Sequence, residues 1–90
     1  MGDNKATAAK IRDEIVDFVL ANFISKYDKS TLPLDQSLVD IGVMDSFGIV
    51  ELVSFIEEKW TLAIPDSDIT REKIGSVDKI ADLVLRRLNG

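Results

Sequence analysis

Apolar residues recur at helical spacing in three segments of this 90-residue chain, and no segment shows the strict alternation of a β-strand. In the first segment the apolar side chains alternate with acids on the other faces, at Ile11, Ile15, Phe18, Val19 and Phe23. This spacing predicts a first helix from about Ala6 to Ser25. The whole pattern predicts an all-α fold, a single domain over residues 1–90 with a core of about 6–89, built from three longer helices and one short helix.

The second predicted helix opens at Asp45 or Ser46, where a side-chain oxygen can cap exposed backbone N–H groups. Its core-facing stripe consists of Leu52, Val53, Ile56 and Trp60. The helix carries further apolar side chains, at Phe47, Ile49, Val50 and Phe55. This excess indicates a contact face, although burial of the helix on two sides would explain it equally well.

The last third of the chain predicts a helix stop, a short turn and a final helix. Pro65 is expected to stop the second helix, and residues 66–73 are typical of a short helical turn. Ser76 is expected to cap the final helix, and Arg86 and Arg87 complement the dipole at its end. The core-facing stripe of that helix is Val77, Ile80, Ala81, Val84 and Leu88.

A long connection joins the first two helices. Residues 27–45 contain Pro33, Gly42 and scattered Asp and Ser without sustained periodicity. Connections of this length are usually functional or disordered. Apolar anchors within it favour an ordered connection, at Leu32, Leu34, Leu38, Val39 and Ile41.

The chain contains no Cys and no His, which excludes disulfide scaffolds, thiol nucleophiles and imidazole bases. The adjacent Glu57 and Glu58 point about 100° apart on a helix and make a poor acid–base pair, so a carboxylate-based hydrolase is disfavoured. Residues 66–71 fail as a calcium loop because Arg71 stands where Gly is required. We therefore expect no enzymatic activity and no metal site.

The charge of the chain is segregated. The net charge is −5, and from Ser30 to Glu58 there are six acids and no Lys or Arg. This balance disfavours nucleic acid and anionic membranes and favours partners with basic patches. The N-terminus has no signal-peptide core and the longest apolar run is four residues, so we expect a cytoplasmic monomer. Gly90 closely follows the last predicted helix, which favours a free-standing protein.

Ser46 is a hydroxyl at a helix N-terminus inside the acidic segment. One interpretation makes it an N-cap, shared with Asp45. A helix N-terminus also tolerates a phosphate, because its free N–H groups and dipole favour an anion by about 0.3–1 kcal/mol. Repulsion from Asp45 across roughly 6 Å of water costs about 0.7 kcal/mol, so the local charge permits a phosphoester without demanding one.

An ordered set of short motifs resembles the acyl carrier proteins of the phosphopantetheine-binding superfamily. The motifs are Leu38-Val39-Asp40-Ile41-Gly42, Asp45-Ser46, Val50-Glu51-Leu52, Glu57-Glu58, Ile64-Pro65 and Lys73-Ile74-Gly75-Ser76-Val77. The resemblance implies a four-helix bundle in which Ser46 is esterified by 4′-phosphopantetheine taken from coenzyme A. It also implies that the thiol of this arm carries acyl groups as thioesters for fatty-acid or related biosynthesis.

The same resemblance implies roles for residues around Ser46. It places partner contacts at Asp45, Phe47, Val50, Glu51, Glu57 and Glu58, and a pocket for the acyl chain at Leu52, Val53, Ile56 and Trp60. The implied partners are a phosphopantetheinyl transferase, a synthetase that loads acyl groups onto the carrier (acyl-ACP synthetase) or an acyltransferase, and enzymes of the ketosynthase type with basic patches.

Two positions depart from the fatty-acid carriers of this family. Gly48 stands where they have an acid, and Ser54 stands where they often have a large apolar contact. Gly48 also predicts a looser helix, at about 1 kcal/mol relative to Ala. Two alternatives therefore stay open: a carrier of aminoacyl or peptidyl groups in a specialised pathway, and an acidic helical interaction module in which Ser46 is only an N-cap.

Overall fold

The computed structural model describes residues 7–23 and 25–89, and this part of the chain is helical without strands. It contains α1 (Ala8–Asn22), α2 (Ser46–Trp60), α3 (Arg71–Ile74) and α4 (Val77–Asn89), with a 3₁₀ turn at Asp66–Asp68. Three longer helices and one short helix pack as a bundle, so the predicted fold class is confirmed. None of these helices has the length and apolar character needed to cross a bilayer.

Helix α1 is shorter than the sequence predicts. It begins after Thr7, whose hydroxyl accepts a hydrogen bond from the Lys10 N–H at 3.2 Å. It ends at Asn22 because Phe23 turns into an extended conformation, with its N–H donating to the Val19 carbonyl. The predicted end at Ser25 is therefore wrong, and the predicted start at Ala6 lies outside the described residues.

Helix α2 ends well before Pro65, so the prediction that Pro65 stops it is wrong. Thr61 takes the left-handed conformation (φ 52°) and its N–H donates to the Glu57 carbonyl, which ends the helix at Trp60. Pro65 instead precedes the 3₁₀ turn. The short turn predicted over residues 66–73 is divided between that 3₁₀ turn and α3.

Helix α4 is capped as predicted, since the Ser76 hydroxyl accepts the Lys79 N–H at 3.2 Å. Four residues of its predicted stripe are buried, at Val77, Ile80, Ala81 and Val84. Leu88 is 37% exposed, so its assignment to the core is wrong. The reason is that the last turn of α4, residues 86–89, is exposed on all sides, whereas Leu83 one turn earlier is buried.

The core joins α1, α2 and α4 with the connection before α2. Its fully buried side chains are Ile11, Ile15, Val19, Leu38, Leu52, Ile56, Val77, Ile80 and Val84. The connection is ordered, as predicted, because the Leu38 N–H donates to the Gly75 carbonyl and the Leu34 carbonyl accepts the Asp78 N–H, both at 2.9 Å. Leu32 is also buried, whereas Val39 is 42% exposed and is not the anchor that the sequence predicts. Val39 faces a surface groove instead.

Candidate functional site

Ser46 is the first residue of α2 and is exposed. The capping role belongs to Asp45, whose carboxylate accepts the Gly48 N–H at 3.0 Å. Within residues 7–23 and 25–89 the Ser46 hydroxyl makes no hydrogen bond. Ser46 is therefore not the N-cap, and its hydroxyl is open to a reagent from solvent.

The outer face of α2 joins apolar and acidic side chains beside Ser46. Phe47 is 80% exposed and Val50 is 60% exposed. One and three helical turns further on, the same face carries the exposed Glu51 and Glu58. We call this set, together with Asp45, the outer face of α2. It contains every residue predicted to contact partners except Glu57.

Glu57 has a structural role that the sequence did not reveal. Its side chain is half-buried, and its carboxylate accepts the Ile64 N–H at 2.8 Å. Its carbonyl oxygen also accepts the N–H groups of Thr61 and Leu62. Glu57 therefore ties the segment after α2 back onto the helix.

The predicted apolar stripe of α2 is mostly inside the core. Leu52, Val53 and Ile56 are buried. Trp60 is half-buried and lies at the edge of the core, with its ring edge-to-face against Phe55 at 6.0 Å between centroids. Trp60 therefore packs against the core as the stripe predicts, but from the rim of the bundle, where α2 ends.

A groove of about 420 Å³ opens directly beside Ser46. It lies between α2 and residues 69–75, and Leu52, Val53, Ile56 and Trp60 do not line it. Its apolar walls are Val39, Ile49, Val50, Ile69 and Ile74; Ser37, Ser46, Thr70 and Gly75 complete it. No charged side chain is among these residues. The sequence shows one signal for it, the surplus apolar surface at Ile49 and Val50.

Gly48 is required by close packing. It is buried in the first turn of α2, and a Cβ atom there would lie 2.7 Å from the Met44 Cβ and 2.9 Å from the Phe23 Cε1. The lower helix propensity that the sequence predicts for Gly48 is therefore joined by a packing constraint at the same position. The sequence could not reveal this contact, since Phe23 lies 25 residues earlier in the chain.

Arg87 also does more than complement the helix dipole. Its guanidinium pairs with the nearly buried Asp68, and the Lys73 Nζ pairs with the same carboxylate at 2.8 Å. Hydrogen bonds from Lys73, and to a smaller extent from Arg87, together with their positive charges, hold the pKa of the Asp68 carboxyl below its usual value. We call this set the Asp68 clamp. It joins the 3₁₀ turn, α3 and α4, next to the groove wall formed by Ile69 and Ile74.

Comparison with known proteins shows that the chain is similar in sequence to carrier proteins. The chain is 30% identical to the D-alanyl carrier protein of Streptococcus sanguinis over 79 residues, which cover 88% of this chain and 96% of that protein. It is 32% identical to the acyl carrier protein of Chlorobium luteolum over 81 residues, 90% and 99% of the two chains. The D-alanyl carrier protein of Streptococcus suis is 34% identical over 56 residues, 62% and 71% of the two chains. No protein-family model matches the chain.

Proposed function

This chain belongs to the acyl carrier protein family, and we propose that it is a non-enzymatic carrier in which Ser46 holds a 4′-phosphopantetheine arm. The observation that carries the proposal is the state of Ser46. Its hydroxyl is exposed and makes no hydrogen bond to the part of the chain that the structure describes, and Asp45 caps the helix in its place. A serine recruited only as a cap would use that hydroxyl for the backbone.

The residues around Ser46 fit such an arm. The Ser46 Oγ is the ester oxygen, and the first turn of α2 offers a helix N-terminus to the phosphate. When bound, the group supplies a terminal thiol for thioester formation, which the chain itself lacks because it has no Cys. Ile49, Val50 and Ile74 give the arm an apolar surface along which to lie.

The outer face of α2 suits partners that combine an apolar pocket with basic residues. Phe47 and Val50 present apolar surface, and Asp45, Glu51 and Glu58 present negative charge. A phosphopantetheinyl transferase, an acyltransferase or synthetase, and ketosynthase-type enzymes are the expected partners. Glu57 contributes less to this face because its carboxylate is engaged with Ile64.

Two classes of cargo fit a carrier of this kind. An apolar acyl chain, as in fatty-acid or related biosynthesis, is favoured by the groove, where none of the lining side chains that the structure describes is charged. An aminoacyl group is favoured by relatives named D-alanyl carrier protein. An ammonium group would lose hydration in the groove without gaining a partner there.

Nuclear magnetic resonance separates these two classes of cargo. The arm is loaded in parallel with a hexanoyl group and with a D-alanyl group, and amide shifts are compared with those of the unloaded arm. We expect the hexanoyl group to change the amide chemical shifts of Val39, Ile49 and Ile74. The D-alanyl group should leave these chemical shifts unchanged. Unchanged shifts with hexanoyl would contradict storage of an acyl chain in the groove.

Intact-mass spectrometry tests the carrier proposal itself. The protein is incubated with coenzyme A and a broad-specificity phosphopantetheinyl transferase, with Ser46→Ala and Ser54→Ala as variants. We expect one phosphopantetheine increment in the wild type and in Ser54→Ala, which changes another exposed serine of α2. A folded wild-type protein that gains no mass would leave the acidic interaction module as the function.

A further inference from the structure

The first turn of α2 rests on an aromatic ring from outside the acidic segment. The ring of Phe23, the residue that ends α1, lies so close to Gly48 that a Cβ there would come within 2.9 Å of Cε1 and 3.2 Å of Cζ. Met44 approaches the same position from the connection. Gly48 is two residues after Ser46, so this contact supports the turn that presents the Ser46 hydroxyl.

The Phe23 ring is one end of a row of aromatic side chains along α1 and α2. Phe23 meets Phe18 edge-to-face at 6.2 Å, and Phe18 stacks on Phe55 at 4.2 Å. Phe55 then meets Trp60 edge-to-face at 6.0 Å. We call these four residues the aromatic row. Aromatic pairs of this kind are favourable beyond the area they bury, so Phe18, the member of the row that contacts the Phe23 ring, helps to fix Phe23 against the start of α2.

The opposite side of the same turn faces solvent. Ser46 and Phe47 are exposed, whereas Gly48 is buried between Phe23 and Met44. Phe23 thus packs against the buried side of the turn, and the Asp45 carboxylate caps its start by accepting the Gly48 N–H. A contact that fixes the backbone at Gly48 also fixes the direction in which the Ser46 Cα–Cβ bond leaves the helix.

We propose that Phe23 is a positioning residue for the modification of Ser46, an inference that rests on the proposed carrier function. Phe23 acts through Gly48 and does not belong to the outer face of α2, on which a transferase docks. Loss of its ring leaves Phe47, Val50 and Glu51 available for docking but frees the turn that carries the hydroxyl. The defect therefore belongs to kcat for arm transfer and leaves KM little changed.

Steady-state arm transfer to Phe23→Ala and to Trp60→Ala tests this inference. Trp60→Ala is the matched control because it removes a half-buried ring from the other end of the aromatic row. We expect Phe23→Ala to lower kcat about tenfold or more, with KM within about twofold of the wild type. Trp60→Ala lowers the melting temperature but leaves kcat within about twofold. If Phe23→Ala folds poorly, Phe23→Leu removes the ring carbons that contact Gly48 and retains an apolar side chain.

Hydrogen exchange at the Gly48 and Ile49 amides supplies a second readout. We expect both amides to exchange faster in Phe23→Ala than in Trp60→Ala. The two variants are compared under conditions in which their free energies of unfolding are equal. Unchanged kcat or unchanged exchange in a folded Phe23 variant would overturn the inference. If the wild-type protein accepts no arm, the carrier proposal fails, and the exchange rates still decide whether Phe23 holds the turn.

Discussion

At the residue scale, Gly48 and Ser46 divide the first turn of α2 into a packed side and an open side. Gly48 has no room for a side chain because Met44 and Phe23 fill the space beside its Cα. Ser46, two residues earlier, is exposed. Its hydroxyl does not cap the helix, because the Asp45 carboxylate accepts the Gly48 N–H instead. The turn is therefore fixed by buried contacts while its one hydroxyl stays accessible.

Gly48→Ala tests this packing. Alanine would gain about 1 kcal/mol in helix propensity over glycine. Overpacking against the Met44 Cβ, which cannot move away by changing rotamer, costs about 1–3 kcal/mol. We expect a net loss of up to about 2 kcal/mol in the free energy of unfolding, measured by urea denaturation.

The control for that substitution is Ser54→Ala, at an exposed position of the same helix, which should change stability by less than about 0.5 kcal/mol. A Gly48→Ala variant more stable than the wild type would show that the first turn has spare room.

At the scale of the element, α2 presents different surfaces on its different sides. Leu52 and Ile56 are buried in the core, Ile49 and Val50 border the groove, and the outer face carries acids beside exposed apolar residues. Basic residues enter the helix only at Lys59, which pairs with Glu14 of α1 at 3.3 Å. The outer face is therefore negative over its whole length, which favours fast encounter with a basic partner.

Glu51→Lys tests electrostatic steering by this face. We expect slower arm transfer by a transferase with a basic docking patch, and a defect that shrinks as salt rises, because the Debye length is about 8 Å at 0.15 M ionic strength. Asp82→Lys in α4 makes the same change of charge away from α2 and should have a much smaller effect. Equal defects at low and high salt would contradict steering.

The sequence predicted the helices from local patterns and missed what depends on contacts between distant segments. Helical spacing identified α2 and the buried Leu52 and Ile56, and the hydroxyl of Ser76 identified the start of α4. The motifs around Ser46 identified the family. The packing of Phe23 on Gly48 and the pairing of Asp68 with Arg87 join residues at least 19 positions apart, and no local pattern encodes them. The groove left only the surplus apolar surface of α2 as a local signal, because its other wall comes from residues 69–75.

At the scale of the whole molecule, the Asp68 clamp connects the 3₁₀ turn, α3 and α4. The carboxylate of Asp68 is nearly buried and pairs with Lys73 of α3 and Arg87 of α4. Ile69 and Ile74, which form the far wall of the groove, directly follow Asp68 and Lys73 in the chain. The clamp therefore fixes that wall to the core helix α4.

Asp68→Asn tests the contribution of the clamp to stability. Because Lys73 and Arg87 lower the pKa of the Asp68 carboxyl in the folded state, the ionised form stabilises the fold above the unfolded pKa. That stability is lost as the pH falls through the folded pKa. We expect Asp68→Asn to lower the melting temperature at pH 7, and we expect the gap to the wild type to close at acidic pH.

Asp66→Asn, at an exposed residue of the same 3₁₀ turn, is the control and should melt near the wild-type temperature throughout. A gap for Asp68→Asn that stays constant down to acidic pH would assign its effect to something other than the ionised carboxylate.

Peptide-level mass spectrometry after transfer from coenzyme A tests the central claim most directly. Trypsin releases residues 30–59 as one peptide, since no Lys or Arg lies between Lys29 and Lys59, and this peptide contains Ser30, Ser37, Ser46 and Ser54. We predict one phosphopantetheine group per peptide, assigned to Ser46 by the fragment ions. An arm on a different serine, or an unmodified peptide from folded protein, would contradict the assignment of Ser46 as the attachment site.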